Sequence, residues 1–270
     1  MNLKIATRSH ILKRIEAALV AAAGAISPFL PGKDTVEFKS ASDPVTEADR
    51  TANRILREAL LQDDEGWLSE ESVDDLSRLD KQQVWVVDPI DGTKEFISRI
   101  PEWCISVAFV ENGRAVAGGI CNPATQEIFL GALGEGVKLN GSSVRASECQ
   151  CLERAVVLAS RSELARGEWD CFRDDPFLIR PMGSVAYKLA LVAAGMADAT
   201  WTLSPKNEWD IAAGAALIEA AGGFVRKLDG SELRFNNRSP LLPGLLACGP
   251  QLDRDLNSCL RERADLSKRN

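Results

Sequence analysis

Apolar positions along the chain repeat with two periods, and the switches between them mark its elements. Ile11, Ile15, Leu19 and Ala22/Ala23 fall at helical spacing and predict an amphipathic first helix, ended near Gly24 to Pro28. Lys4, Arg8, Lys13 and Arg14 precede the run AALVAAAGAI as they would in a signal peptide, but the run is Ala-rich and begins straight after Glu16, so a helix is expected. Ala52, Ile55, Leu56, Ala59 and Leu60 predict a second helix. It is opened by Thr46 with Asp49 three residues later, a capping box with Asp in place of the usual Glu or Gln. Trp67 and Leu68 resemble the end of a short buried strand, and Val84, Trp85, Val86 and Val87 form a β-rich run. Asp88, Pro89, Ile90 and Asp91 interrupt that run with two acids, after which Gly92 and Thr93 open a helix whose unpaired N–H groups sit beside them. Between Cys104 and Gly141, turn signals at Glu111-Asn112-Gly113, Asn122-Pro123 and Gly134-Glu135-Gly136 predict an antiparallel meander of about four strands.

From Ala155 the pattern changes to a strand (Ala155 to Ser160), a loop, and a helix from Ser184 to Ala194 closed by Gly195. A strand near Ala199 to Leu203 and a helix from Asp210 to Ala221, closed by Gly222-Gly223, follow. The charged tail from Leu252 to Asn270 predicts a surface helix that frays. Residues 1–145 therefore read as an N-terminal α+β half and residues 146–270 as a C-terminal α/β half, with the boundary near Ser142 to Leu152.

Length and charge narrow the function. With 270 residues and 45% hydrophobic content the chain can bury a sizeable core, while a net charge of −7 argues against a binder of nucleic-acid polymers. Seven cysteines, odd in number and without a CxxC spacing, read as free thiols in a reducing cytoplasm, and no apolar stretch approaches the roughly 18 to 20 residues of a membrane span. A single histidine, His10, nearly excludes His-based triads and multi-His zinc sites, and no G-x-S-x-G elbow, Walker A loop or GxGxxG fingerprint occurs. Carboxylate is the remaining catalytic resource, and hard oxygen ligands suit Mg²⁺ or Mn²⁺. Taken singly, each acid has a plainer explanation: Asp49 as a helix cap, Asp91 in a turn with Gly92, Asp210 as an N-cap, Glu70 as one more acid in a solvated loop.

The hexapeptide Asp88-Pro89-Ile90-Asp91-Gly92-Thr93 closely resembles the signature of the lithium-sensitive, Mg²⁺-dependent phosphomonoesterases of the inositol monophosphatase superfamily. Pro44 to Asp49, Glu70 to Ser72, Gly183 to Ala186 and Trp209 to Gly214 resemble further family blocks in the family's order and spacing. The resemblance covers about residues 10 to 250. It implies an α+β fold, a layered α/β/α/β/α sandwich of the sugar-phosphatase type, and a small phosphorylated substrate; a homodimer is common among similar proteins. By position it implies that Glu70, Asp88, the Ile90 carbonyl, Asp91 and Asp210 ligate two or three Mg²⁺ ions, with Mn²⁺ as a substitute and Li⁺ inhibitory. It further implies that Thr93, assisted by Asp49 and with Glu70 nearby, orients and deprotonates the attacking water. Gly92, Thr93, Lys94, Ser160, Arg161, Gly183 and Ser184 are then the candidate substrate contacts.

Within the superfamily, Gly92-Thr93-Lys94-Glu95-Phe96, Ser160-Arg161-Ser162 and Pro205 to Asp210 resemble blocks of the 3'(2'),5'-bisphosphate nucleotidases, the CysQ type. Leu203 stands where inositol monophosphatases place an acid that contacts inositol. Against this, Glu163 replaces the His of the nucleotidases' S-R-S-H block, and a carboxylate is a poor neighbour for a doubly phosphorylated nucleotide. The alternatives are an inositol or sugar phosphatase and, from another class, a catalytically silent ligand-binding member. The last predicts loss of a metal carboxylate, and none is lost.

Overall fold

Trp85 and Val87 alternate with Val84 and Val86 along one strand, and both sets are buried, so this strand has protein on each face. The structure is a computed structural model describing residues 7–29, 37–40 and 43–267; Lys4 and residues 268–270 lie outside them. Helix α1 (Arg8–Ile26) is followed by a hairpin of β1 (Glu37–Ser40) and β2 (Asp43–Val45), then by α2 (Glu47–Leu60). Next come β3 (Gly66–Ser69), β4 (Gln83–Asp91) and a short helix α3 (Thr93–Ile97). An antiparallel run follows: β5 (Cys104–Glu111), β6 (Arg114–Asn122), β7 (Glu127–Ala132), β8 (Gly136–Leu139) and β9 (Ser142–Val144). The remainder comprises β10 (Val156–Ser160), α4 (Arg161–Ala165), β11 (Leu178–Met182), α5 (Val185–Ala193), β12 (Ala199–Trp201) and β13 (Lys206–Asn207). It ends with α6 (Glu208–Ala220), β14 (Phe224–Lys227), β15 (Leu241–Leu242), β16 (Leu245–Cys248) and α7 (Asp253–Ser267).

Two sheets carry the fold. One has seven strands in sequence order from β3 to β9, with β3 parallel to β4 and the rest antiparallel; the other has five in the order β11-β10-β12-β16-β14. Ile11, Ile15, Leu19, Ala52 and Leu56 from α1 and α2 pack with Trp85, Val87, Val107 and Phe109 on one face of the larger sheet. Its other face, through Val84, Val86, Ala108 and Ile120, meets α5 and α6, which also meet Leu158, Leu245 and Ala247 of the smaller sheet. Beyond that sheet, Leu252, Leu256 and Leu260 pack with Val157, Ala199, Trp201 and Leu246. The layers are therefore α/β/α/β/α. As the central layer, α6 is apolar on nearly every side, which is what a helix between two sheets requires.

Several elements differ from the sequence expectation. Strand β4 does not stop at Val87 but runs to Asp91, because β5 continues beside it across a shift in register and pairs Cys104 with Asp91. The meander has five strands through β9, and β11, β14 and the wholly apolar β16 are strands that the sequence reading does not include. Helix α6 begins at Glu208, which makes Asp210 the third helical residue and Asn207 the cap. The tail helix is not merely superficial, since Leu252 and Leu256 are fully buried. Ser160 to Ser162 form no plain turn: Ser160 caps α4, its hydroxyl accepting the Glu163 N–H.

Close packing of the central layer fixes the sign of one substitution. A Cβ on Gly214 of α6 would overlap the Leu189 side chain of α5. Ala is intrinsically about 1 kcal/mol better than Gly in a helix, but overpacking costs about 1–3 kcal/mol. Gly214→Ala should therefore lower the denaturation midpoint, whereas Gly24→Ala in α1, where nothing lies within 4 Å of the new Cβ, should raise it.

Candidate active site

The site is assembled at the ends of elements. At the start of α2, Asp49 Oδ2 accepts the Thr46 N–H at 2.8 Å and the Thr46 hydroxyl at 2.6 Å, completing the capping box. Its other oxygen, Oδ1, lies 3.3 Å from the Thr93 hydroxyl, which is also 3.1 Å from the Ile90 carbonyl. The cap and the site thus use different oxygens of one carboxylate. Asp210 makes the corresponding cap at α6, where its Oδ2 accepts the Asn207 N–H at 2.9 Å.

On β4, Asp88 Oδ1 accepts the Ile90 N–H at 3.0 Å, which bends the backbone between the two acids. Asp91 Oδ2 accepts from the Ser184 hydroxyl at 2.7 Å and the Ala186 N–H at 2.6 Å, at the start of α5. Ser184 has φ 51°, a conformation that costs a residue with a side chain about 1–3 kcal/mol. It is held there because its hydroxyl also accepts the Tyr187 N–H at 3.0 Å, and its carbonyl accepts from Lys188 Nζ at 2.8 Å. Gly92 has φ 95°, and an added Cβ would lie 3.0 Å from the Glu102 carbonyl, so glycine is needed for both conformation and space.

Carboxylate oxygens of Asp88, Asp91 and Asp210 all lie within 4.8 Å of one another. Glu70 follows β3, its N–H donating to the Val87 carbonyl at 3.3 Å, and its charge acts on both Asp88 and Asp210. Burial, then repulsion from Glu70, Asp91, Asp210 and Asp49, pushes the Asp88 carboxyl well above the ordinary carboxylate range. Asp210 is driven up by burial, then by Asp91 and Glu70, against the lowering influence of the Asn207 N–H and Lys206. Such a group is unstable with all members ionised unless a cation sits among them. All the donors are hard oxygens, so the residues fit Mg²⁺ or Mn²⁺ and offer nothing a soft metal prefers.

The candidate substrate contacts differ in freedom. Lys94 is exposed on α3. Arg161 makes a bidentate pair with Glu102, through Nε at 2.8 Å and Nη2 at 2.7 Å, and the same carboxylate accepts the Gly183 N–H at 2.8 Å. Burial tends to raise the Glu102 carboxyl, but hydrogen bonds from Arg161 and Gly183 outweigh it and hold the group below its usual value. Glu163 is fully buried: its carboxylate accepts from Trp169 Nε1 at 3.0 Å and lies 3.5 Å from Lys206 Nζ.

Sequence reasoning missed Glu102, an acid in the loop Pro101-Glu102-Trp103, whose partners lie 59 and 81 residues away and leave no local signal. It also left Tyr187 and Lys188 unassigned, and both are buried. Burial pushes the Lys188 ammonium down to about 8, partly offset by Asp91. Burial and the Glu127 carboxylate push the Tyr187 phenol up to about 12.

The raised carboxylates have a measurable consequence without metal. Between the unfolded value near 4 and its raised folded value, Asp88 binds more protons in the folded state than in the unfolded one. Stability therefore falls as pH rises through that window. Metal-free Asp88→Asn should melt higher than metal-free wild type at neutral pH. The gap should close as pH falls towards 4, as read by thermal unfolding in EDTA.

Comparison with known proteins gives this geometry its relatives. An inositol-1-monophosphatase of Rhizobium meliloti (strain 1021) is 35% identical over 223 residues, 79% of this chain and 81% of that one. The extragenic suppressor protein suhB from Bartonella henselae has a similar structure, with a TM-score of 0.79 at 29% identity, covering 93% of this chain and 98% of that one. CysQ from Bacteroides thetaiotaomicron, a bacterial member of the inositol monophosphatase family, gives 0.74 at 29% identity, covering 92% and 99%. Residues 8–263 match the family model itself, and with the layered fold and the acidic centre already in hand, the chain belongs to the inositol monophosphatase family of phosphatases.

Proposed function

We propose that this phosphatase is a Mg²⁺-dependent phosphomonoesterase that removes the 3'-phosphate of 3'-phosphoadenosine 5'-phosphate, that is, a 3'(2'),5'-bisphosphate nucleotidase. The observation that carries the chemistry is the convergence of Asp88, Asp91 and Asp210 within 4.8 Å beside the Thr93–Asp49 pair. Glu70, Asp88, the Ile90 carbonyl, Asp91 and Asp210 would hold two or three Mg²⁺ ions, with Mn²⁺ as a substitute and Li⁺ inhibitory. When bound, the ions neutralise phosphate charge, stabilise the leaving alkoxide and acidify water.

The chain's own residues do the rest. Thr93 Oγ, 3.3 Å from Asp49 Oδ1 and 3.1 Å from the Ile90 carbonyl, accepts a hydrogen bond from the attacking water and turns its own proton to Asp49 as the reaction proceeds. As the water oxygen bonds to phosphorus, its proton passes to Thr93 Oγ and the Thr93 proton passes to Asp49 Oδ1. The phosphorus–ester oxygen bond breaks in line, the leaving oxygen carries away the electron pair, and no covalent enzyme intermediate forms. The α2 cap holds Asp49 Oδ2, so the accepting oxygen stays aimed at Thr93. Gly92, Thr93, Lys94, Ser160, Arg161, Gly183 and Ser184 form the substrate-facing rim.

Leu203 supports the nucleotide preference. It packs against the core behind the smaller sheet, and it stands in the sequence where inositol monophosphatases are expected to carry an acid for the sugar. Glu163 ceases to count against it, because its charge is turned inward to Trp169 and Lys206. A second reading, an inositol-1-phosphate or sugar phosphatase, is favoured by the name of the Rhizobium relative at 35% identity.

Phosphate release from 3'-phosphoadenosine 5'-phosphate, inositol 1-phosphate and fructose 1,6-bisphosphate separates these readings. The nucleotide should lead by at least about tenfold in kcat/KM, a margin equal to about 1.4 kcal/mol of transition-state binding. Activity should vanish in EDTA and fall with Li⁺; full activity in EDTA would sink the metal mechanism, and a preference for inositol 1-phosphate would overturn the substrate assignment. Asp88→Asn should abolish turnover with an unchanged circular dichroism spectrum. Thr93→Ala should lower kcat about 10²–10⁴-fold, the usual cost of losing a proton-transfer group.

A further inference from the structure

Among the rim residues, Arg161 and Gly183 share a feature that the catalytic reading leaves unused: their N–H groups converge on one carboxylate of this same chain. Glu102 Oε2 accepts from Arg161 Nε and from the Gly183 N–H, both at 2.8 Å, while Oε1 accepts from Arg161 Nη2 at 2.7 Å. A guanidinium fork joined by a backbone amide is the donor set that recognises phosphate as readily as carboxylate. The seat adjoins the catalytic centre. Gly183 directly precedes Ser184, whose hydroxyl reaches Asp91 at 2.7 Å, and the Glu102 carbonyl would be 3.0 Å from a Cβ on Gly92. Arg161 is 41% exposed and Glu102 only 16%, so a ligand can reach the guanidinium from solvent while the carboxylate approaches it from within.

We propose that Glu102 is a specificity-determining residue: its carboxylate fills the seat that Arg161 and the Gly183 N–H offer to a second anionic group of the substrate, and such a substrate displaces it. The inference rests on the reading that the substrate carries two phosphates. A monophosphate leaves the Glu102–Arg161 pair intact, whereas the second phosphate of a bisphosphate exchanges with it, ion pair for ion pair. Glu102 thereby sets how much charge a ligand must bring before Arg161 is released to it.

The test is the ratio of kcat/KM for bisphosphate over monophosphate, on two scaffolds. These are adenosine 3',5'-bisphosphate against adenosine 3'-monophosphate, and inositol 1,4-bisphosphate against inositol 1-phosphate. On whichever scaffold is turned over, Glu102→Gln should raise the ratio about tenfold, the worth of one charge-assisted hydrogen bond, chiefly through KM for the bisphosphate. Relative to Arg161→Gln alone, the double variant Arg161→Gln/Glu102→Gln should show no such gain. A ratio unchanged or lowered by Glu102→Gln means that Glu102 only positions Arg161 and overturns the proposal. A gain that survives in the double variant reflects loss of long-range repulsion and overturns it equally. If Glu102→Gln fails to fold by circular dichroism, Glu102→Asp, whose shorter arm loosens the same pair, is read by the same ratio. The scaffold preferred by wild type reports separately on the nucleotidase reading, so the two failures are distinguishable.

Discussion

Repulsion among carboxylates is the constraint on which the rest of this molecule depends. Asp88, 1% exposed, lies within 4.8 Å of Asp91 and Asp210 and feels Glu70 and Asp49 as well, a concentration of like charge that no flexible segment would hold. Each acid is restrained separately: Asp88 by the Ile90 N–H, Asp91 by Ser184 and the start of α5, Asp49 and Asp210 by the first turns of α2 and α6. The layers exist in the order that brings these restraints together. Because α6 lies between the sheets, an acid from the C-terminal part of the sequence reaches the end of a strand in the larger sheet.

Much of this was legible in the sequence, for a physical reason. Helices with one buried stripe, such as α1 and α2, announce themselves by spacing, and so do hairpins with Asn-Gly turns such as Glu111-Asn112-Gly113. The acids stood out because carboxylates at the ends of apolar runs are costly and have few bland uses in combination. Where patterns conflict, the sequence was silent or misleading. Pro89 between two acids reads as a break, yet β5 pairs alongside and carries β4 on to Asp91. Leu252, Leu256 and Leu260 keep a spacing of four but are diluted by charges, so α7 read as a surface helix although its leucines close the outer core. The pairing of Glu102 with Arg161 and Gly183 is purely tertiary and had no local trace.

The site also separates a generic part from an adjustable one. Asp88, Asp91 and Asp210 are locked into a strand and a helix start, where any shift would disturb two layers at once. The neighbouring groups hang from shorter pieces: Glu163 on the five-residue α4, Lys206 on the two-residue β13, Leu203 and Ser204 in a loop. Glu163 ties these together, accepting from the Ser204 N–H at 3.4 Å and from Trp169 Nε1.

The division of Asp49 and Asp210 between two tasks has a consequence for how the protein reports its own state. In Asp49, the oxygen that caps a helix is bonded covalently, through one carbon, to the oxygen turned to Thr93. Drawing electron density toward the centre weakens the cap as an acceptor, and protonating the carboxyl weakens it further. The amide hydrogens of Thr46 and Asn207, each bonded directly to one of these carboxylates, are therefore natural spectroscopic sensors. Their chemical shifts and exchange rates carry a running record of the charge held between the two helix starts.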